Sequence, residues 1–204
     1  MKKKVLTVII AILIAIILLF LGNLLRNYII LKGICDSNNE FKDSRQGYHF
    51  VSSNYNSIVG TIKEDVYFYD GEYFDITYLN NELYSMCWYD SNTKEGISTD
   101  KYLEETDEVP KSDTSFLENY ANNFLIASGE SNNEVISQLL KNNLFRFINS
   151  KDGDYIINYN GTTSYVNKKT KFITKYVSDD IVFEYNIDLN NISENNVSKN
   201  NLYK

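Results

Sequence analysis

The sequence predicts an α+β protein, in which an N-terminal transmembrane helix is followed by a curved antiparallel half-barrel sheet covered by two central helices. Three observations support this prediction. The chain begins with a long uncharged apolar run, its middle holds two amphipathic helical segments, and the segments on both sides of them alternate between apolar and polar residues. Because a helix with one apolar face must cover another element, the order strands, helices, strands favours a single α+β domain.

The N-terminal run predicts an uncleaved membrane anchor. Residues 1–4 hold three lysines, and residues 5–25 are uncharged and predominantly apolar. As one helix, 5–25 spans about 30 Å, the thickness of a bilayer core. A cleaved signal peptide needs a shorter apolar region and a small-x-small site. A lipoprotein signal needs a small residue directly before its cysteine, but here Ile34 precedes Cys35. The lysine cluster favours a cytoplasmic tail at 1–4 and an extracytoplasmic C-terminal domain in the cell membrane.

The charge of the chain is divided unequally between the anchor and the rest. The 204 residues carry a net charge of −7, yet no Asp or Glu precedes Asp36. Residues 36–204 carry 15 basic and 27 acidic side chains, a net charge of −12. An acidic domain lacks the dense basic face that nucleic acid requires, so nucleic acid is excluded as the main partner.

Asparagine occurs 27 times and alanine four times. Asn, Lys, Ile and Tyr have A/T-rich codons, so this usage indicates a bacterial genome of low GC content. Under that interpretation single asparagines carry little functional meaning, and the sequons at Asn160, Asn191 and Asn196 are not read as glycosylation sites.

Residues 26–45 are predicted to continue the membrane helix as an amphipathic juxtamembrane segment. Apolar residues recur near helical spacing, at Leu24, Leu25, Tyr28, Ile29, Leu31 and Cys35. Residues 46–189 then form the predicted extracytoplasmic α+β domain, and residues 190–204 form a polar, loosely packed C-terminal tail.

An antiparallel meander is predicted after Gly47, where the hydrophobic period changes to two. Residues 66–69 and 73–78 form a hairpin around Asp70-Gly71, which suits a type I′ turn. Asn80-Asn81 supplies the next turn, and residues 83–89 supply the next strand.

Two helices are predicted in the middle of the chain, after an acidic loop that extends from Glu104 to Asp113. The first follows a capping box at 115–118 and ends at Gly129. The second follows a box at 131–134 and turns four apolar residues inward, namely Val135, Ile136, Leu139 and Leu140.

The C-terminal part is predicted to return to strands, at 144–148, 155–159, 164–166, 172–177 and 181–187. In the last strand, odd-numbered residues from Ile181 to Ile187 are expected to be buried and the alternate residues to be solvated.

Residues 165–176 and 183–192 resemble the C-terminal hairpins of lipoprotein-carrier-like proteins. This superfamily includes periplasmic lipoprotein localisation factors and anti-sigma-factor regulators. The first segment ends a strand in Tyr165-Val166-Asn167, continues with a Lys-Thr turn, and returns with Lys175 and Tyr176. The resemblance implies a half-barrel sheet with helices in its concave side and an apolar cavity for an acyl chain. A carrier that moves between membranes must be soluble, whereas this chain is expected to stay anchored.

Residue types that support enzyme chemistry are scarce. His49 is the only histidine, so neither a metal site nor a Ser-His dyad is expected, and a surface or half-buried role is the expectation. Cys35 and Cys87 lack the spacing of a zinc or thioredoxin motif. They are interpreted as free buried thiols in preference to a disulfide. The sequence holds no phosphate-binding or serine-hydrolase motif.

Carboxylates are the catalytic groups in good supply. Asp70 and Glu72 flank a turn glycine, and Glu104, Glu105, Asp107 and Glu108 form a run. Such a pair could serve a glycoside hydrolase, but a solvated turn and an acidic loop explain these residues as well.

Aromatic residues in the meander allow two interpretations, which are a carbohydrate or peptide surface and cross-strand packing, the latter favoured. They are Tyr67, Tyr69, Tyr73, Tyr78, Tyr84, Trp88 and Tyr89.

The sequence therefore predicts a membrane-anchored, non-catalytic extracytoplasmic domain that binds an apolar ligand, such as a lipid or acyl chain, or an envelope protein. It predicts no catalytic residue, metal or cofactor. The alternatives are a cell-wall carbohydrate hydrolase and a structural subunit of an envelope complex.

Overall fold

The computed structural model describes residues 2–44, 47–56, 58–100, 105–108, 132–143, 147–159, 161–178, 181–190 and 192–203. These residues form an α+β fold with a long N-terminal apolar helix, an open curled antiparallel sheet and short helices, which confirms the predicted fold class. The first central helix predicted by the sequence, at 115–129, lies outside the described residues.

Among the described residues, helices occur near both ends of the chain and once in its middle. The first helix, α1, is Lys2–Ser44, and the predicted second central helix is present as α2, Asn132–Asn142. A short α3, Glu194–Val197, and a 3₁₀ helix, Lys199–Tyr203, follow the last strand.

The strands form one sheet. The first six are β1 (Tyr48–Asn56), β2 (Gly60–Tyr69), β3 (Glu72–Leu79), β4 (Glu82–Asp90), β5 (Glu95–Asp100) and β6 (Glu105–Glu108). The others are β7 (Asn149–Lys151), β8 (Asp154–Tyr159), β9 (Thr162–Asn167), β10 (Ile173–Ser178) and β11 (Ile181–Asp188).

The sheet is two antiparallel meanders joined at the middle. Its strand order is β6-β5-β4-β3-β2-β1-β11-β10-β9-β8-β7. The strand after α1 pairs with the last strand of the chain, so that His49 lies opposite Asp188 and Asn54 opposite Phe183. This pairing of distant segments unites the two meanders in one domain.

The turns follow the local sequence. Asp70 and Gly71 have φ angles of 49° and 89°, and Asn80 and Asn81 have φ angles of 54° and 67°, as a type I′ turn requires. The two turns predicted in the first meander are confirmed.

The strand predicted at 144–148 is wrong in its described part. Phe147 and Ile148 are not in a strand, and β7 begins at Asn149. The backbone of Ile148 bonds side chains of α1 instead of a neighbouring strand. A tertiary contact therefore replaces the ladder that the apolar run suggested.

The acidic loop predicted from Glu104 to Asp113 is in part a strand. Its residues Glu105–Glu108 form the edge strand β6, which pairs with β5 through Ile97 opposite Glu108. Among the described residues β6 pairs with β5 alone, and charged residues on an edge strand discourage pairing with a second chain.

Candidate functional site

The second half of α1 is part of the domain core. From Asn23 onward, the buried residues of α1 lie three or four positions apart, at Asn23, Asn27, Leu31, Ile34, Cys35 and Asn38. This spacing forms one helical stripe, which faces the sheet. We call the sheet face toward α1 and α2 the inner face.

The predicted juxtamembrane segment belongs to α1. Of its apolar residues at helical spacing, Leu25, Tyr28 and Ile29 are exposed, whereas three asparagines lie on the buried stripe. The packed domain therefore includes α1 from Asn23 onward, ahead of residue 46.

The inner face of β8–β10 is filled by side chains of α1 and α2. Leu31, Ile34 and Cys35 of α1 pack in one cluster with Val135, Ile136 and Leu139 of α2, as the inward face predicted for α2 requires. The sheet contributes Ile157, Val166 and Ile173. This half of the concave side is solid side-chain core.

A group of hydrogen bonds joins α1 to the segment between α2 and β7. The Asn27 side chain donates to the Asn143 carbonyl at 3.3 Å and accepts from the Ile148 N–H at 3.2 Å. The Arg26 guanidinium donates to the Ile148 carbonyl from two nitrogens, both at 3.1 Å. Asn143 donates in turn to the Asn158 carbonyl of β8 at 3.0 Å. We call Arg26, Asn27, Asn143 and Ile148 the helix lock.

The far end of α1 has its own contacts with the sheet. Asn38 is fully buried and donates to the Lys171 carbonyl, in the turn between β9 and β10, at 2.9 Å. Phe41 packs on Phe172 with ring centroids 5.0 Å apart. The second half of α1 is therefore held at both ends.

An aromatic layer covers the inner face beside the end of α1. Buried rings of Tyr48, Phe50, Phe68, Tyr73, Tyr89 and Phe172 form it around Val66. Within it Phe68 and Tyr73 pack with ring centroids 4.6 Å apart.

Next to the aromatic layer the inner face of β1–β4 becomes polar. We call this surface the inner strip; it comprises Ser52, Glu64, Asp75, Thr77 and Cys87. The register places them together, because Glu64 lies opposite both Ser52 and Thr77, and Asp75 lies opposite Cys87. Ser52 and Asp75 are buried, whereas the other three are half-buried. The Ser52 hydroxyl donates to Glu64 Oε2 at 2.9 Å.

Two carboxylates determine the electrostatics of the inner strip. Burial, followed by the charge of Asp75, raises the pKa of the Cys87 thiol to about 12. Burial, followed by the charge of Glu64, raises the pKa of Tyr185 on β11 to about 12. Negative charge on a partly buried surface favours a ligand group that donates hydrogen bonds or carries positive charge.

The outer face of β2–β4 is covered by the end of the chain. Val197 of α3 and Leu202 of the 3₁₀ helix are fully buried in one cluster with Phe74, Met86 and Trp88. The expectation of a loosely packed C-terminal tail is therefore wrong at these positions. Most residues around Val197 and Leu202 are polar, so the composition of the tail did not indicate these two apolar contacts.

His49 is half-buried on the outer face, within the expected range. Its Nε2 lies 2.5 Å from Asp65 Oδ1, and its ring stacks on Tyr67 with centroids 4.2 Å apart. Among the residues that the structure describes, no group of three or more His, Cys, Asp or Glu is placed to hold a metal ion.

The carboxylates at the Asp70-Gly71 turn have neighbours that belong to turns and strands of the sheet. Asp70 is exposed at the turn, and Glu72 lies opposite Asp90 on the neighbouring strand. Burial, followed by the charge of Asp90, raises the pKa of Glu72. Asp90 accepts from the Asn92 N–H at 2.8 Å and from the Thr93 hydroxyl at 2.9 Å, so its oxygens cap the next turn.

Both cysteines are free in the structure. Cys35 lies in the packed core, where burial raises its pKa to about 11, and Cys87 lies in the inner strip.

The aromatic residues of the meander do not form one surface. Tyr73 and Tyr89 belong to the aromatic layer of the inner face, whereas Trp88 packs in the outer cluster, with Tyr67 and Tyr69 against it. Tyr84 is exposed. Packing on two faces therefore accounts for most of these residues.

Sequence reasoning missed the asparagines. It discounted them as codon bias, yet Asn27, Asn38 and Asn143 are buried and bond backbone groups. A signal was present, because Asn23, Asn27 and Asn38 share the helical spacing of Leu31 and Ile34.

The first half of α1 is long and apolar enough to cross a membrane. Every side chain from Lys4 to Leu19 is exposed, which is the reverse of the buried stripe that follows.

Comparisons with protein-family models and with curated proteins find no match. Among solved structures, the chain is similar to the Mycobacterium tuberculosis lipoprotein LppX. The TM-score is 0.45 and the sequence identity is 8%, and the match covers 78% of this chain and 93% of that chain.

Proposed function

We propose that this chain is a single-pass, membrane-anchored, non-catalytic protein whose extracytoplasmic domain binds an apolar ligand through the inner face of its sheet. The inner strip carries the proposal. It is the place beside the aromatic layer where Glu64, Thr77 and Cys87 are half-buried, in contrast to the solid core over β8–β10. A lipid with a hydrogen-bond-donating or cationic head group fits the two carboxylates there.

The anchor in this proposal is residues 5–25. Support comes from their exposed apolar side chains and from the lysines at 2–4, which favour a cytoplasmic N-terminus. The C-terminal hairpins, with their resemblance to lipoprotein-carrier-like proteins, fit the same interpretation. A permanent anchor argues for binding at one membrane instead of transport between two.

The absence of catalysis is also part of the proposal. The one histidine is engaged with Asp65 on the outer face, and Asp90, which lies opposite Glu72, caps a turn. In this proposal the carboxylates of the inner strip, Glu64 and Asp75, bind the head group of the ligand.

Native mass spectrometry of the full chain, released from detergent micelles, tests the ligand. We expect a co-purified lipid, and we expect Thr77→Trp to abolish it because the larger ring fills the inner strip. Ser150→Trp, on the exposed edge strand β7, is the matched control and keeps the lipid. A wild-type spectrum without bound lipid contradicts the ligand proposal.

A second candidate is docking of an envelope protein, favoured by the solid core over β8–β10, which leaves that half of the concave side no room for a ligand. In that case the wild type carries no lipid, and chemical cross-linking in membranes yields one defined adduct that Thr77→Trp removes.

A further inference from the structure

The hydrogen bonds of α1 define which end of the sheet lies near the anchor. Asn27, close to the apolar segment, is joined through Asn143 to Asn158 near the end of β8. Asn38, about 16 Å further along the helix, bonds Lys171 in the turn between β9 and β10. Strand β8 therefore runs toward the anchor.

Antiparallel pairing extends this direction across the sheet. The ends of β8, β10, β1 and β3 and the starts of β9, β11, β2 and β4 all lie at the same edge. We call this edge, with its turns, the membrane-proximal rim.

Exposed apolar side chains gather at this rim. Among the described residues the rim holds Tyr55, Ile58, Val59, Tyr84, Phe147 and Ile181, each of them exposed. Ile58, in the turn between β1 and β2, has 90% of its side chain exposed. Exposed apolar side chains grouped in this way mark a contact surface.

The height of the rim along α1 matches the end of the predicted membrane span. The helix lock attaches Ile148, next to Phe147, to Arg26 and Asn27. The apolar segment ends at Leu25. On the helix itself Leu25, Tyr28 and Ile29 are exposed at the same height. The helix and the rim thus present apolar and tyrosine side chains at one level, where a bilayer passes from acyl chains to head groups.

Charge is low at the first two turns of the rim, although the domain is strongly acidic. Residues 52–62 carry no charged side chain, and the turn between β3 and β4 is Asn80-Asn81, with Glu82 as its one neighbouring acid. Tyr55 and Ile58 have no charged sequence neighbour and suit the interfacial layer of a membrane, whereas Ile181 follows Asp179 and Asp180.

We propose that the membrane-proximal rim inserts into the head-group layer of the bilayer that α1 spans, so that the domain rests on the membrane in one orientation. The inference depends on the proposed anchor. The partner of the rim is the surface of the lipid bilayer, because the rim is continuous with the apolar segment and the helix lock holds the two together.

Tryptophan quenching in nanodiscs tests the proposal on the full chain. The lipid is phosphatidylcholine brominated near the carbonyl end of its acyl chains, and Trp88, buried on the outer face, is the constant background. We expect Ile58→Trp to add fluorescence that falls roughly two-fold or more in brominated lipid, as for an interfacial side chain. Leu189→Trp follows the opposite end of β11 and stays unquenched.

Two further variants separate the possible failures. Leu21→Trp, on the exposed apolar part of α1 about 6 Å before Leu25, reports on the anchor alone, and Tyr84→Trp repeats the rim measurement at a second turn. If Leu21→Trp is quenched while Ile58→Trp and Tyr84→Trp behave like Leu189→Trp, the rim proposal is wrong and the anchor stands. If Leu21→Trp is unquenched, the anchor fails and the rim proposal fails with it.

Discussion

At the scale of residues, buried asparagine side chains bond backbone groups that lie outside the strands. Elsewhere in this molecule the hydrogen bonds between strands satisfy such groups. Asn27 accepts from the Ile148 N–H and donates to the Asn143 carbonyl, and neither of these two residues is in a strand. A buried backbone N–H or C=O without a partner costs more than its hydrogen bond contributes, so such a side chain becomes indispensable.

We expect Asn27→Ala to lower the free energy of unfolding by about 2–4 kcal/mol, because it strands two buried backbone groups. Denaturant titration of the full chain in mild detergent, followed by Trp88 fluorescence, measures the change. Asn133→Ala, on the exposed side of α2, is the control and leaves the midpoint nearly unchanged. Equal effects of the two substitutions would contradict the role of the helix lock.

The thiols provide a second prediction at this scale. With pKa values of about 11 and 12, Cys35 and Cys87 carry almost no thiolate at pH 8, and Cys35 is fully buried as well. Maleimide should label neither within minutes in the folded chain and both after unfolding. Since each pKa lies above its unfolded value of 9.0, their contribution to stability is complete below pH 9 and declines as the pH rises through 11 to 12. Rapid labelling of folded protein contradicts the raised pKa values of the thiols.

At the scale of elements, turns and packed ends delimit the strands. Gly71 has a φ of +89°, and a Cβ there would lie 2.6 Å from Asn92 Nδ2 and 2.9 Å from Ser91 Oγ. Gly153 has a φ of +94° and open space around the same position. The two glycines thus separate backbone strain from crowding.

We expect Gly153→Ala to cost about 1 kcal/mol from the positive φ alone. Gly71→Ala should cost about 1 kcal/mol more, because Asn92 must give up its bond to the Asp70 carbonyl. Thermal unfolding of both variants measures the difference. If the two substitutions lower the stability equally, the Asp70-Gly71 turn tolerates the added methyl group.

The C-terminal segment behaves as an element of the core. Leu202→Ala should destabilise the protein by about 2–5 kcal/mol, since it opens a cavity between the segment and Trp88. Near-UV circular dichroism of the Trp88 region and a denaturant midpoint report the effect. Asn200→Ala, exposed in the same 3₁₀ helix, is the control. If Leu202→Ala leaves the stability of the protein unchanged, the tail is loosely packed, as the sequence suggested.

At the scale of the molecule, one helix has two unlike halves. Its first half exposes apolar side chains, and its second half packs against the sheet, where Leu31, Ile34 and Cys35 fill the core. No loop separates the two halves, because α1 is a single element from Lys2 to Ser44. The anchor that we propose is therefore directly continuous with the core of the domain.

Truncation separates these roles. A chain that starts at Asn23 should unfold cooperatively, since it keeps the helix lock and the buried stripe. A chain that starts at Tyr48 should lack a cooperative transition, because the core over β8–β10 loses its central helix. Calorimetry of both chains in the same buffer makes the comparison. A cooperative transition in the shorter chain would mean that the sheet folds without α1.

Local signals predicted most of the fold. The Asp70-Gly71 and Asn80-Asn81 turns and the inward face of α2 depend on neighbours within a few residues, and they are confirmed. The period of two predicted the strands, but Ile181, expected to be buried in the last strand, is exposed. The other failures are the strand before Asn149, the acidic loop and the tail. A distant segment supplies the partner of Ile148 and of the tail, whereas the acidic loop pairs with the preceding strand, β5.

The sequence by itself determined the apolar helix, the antiparallel sheet, the acidic domain and the shortage of reactive residue types. These follow from periodicity, turn residues and composition, which act over short distances. Only the tertiary structure decided that the second half of α1 packs against the sheet and that asparagines line its buried stripe. It alone also decided that turns with exposed apolar side chains lie at the same end of the strands. Those features depend on strand direction and on contacts between residues more than a hundred positions apart, such as Asn27 with Ile148, which no local pattern records.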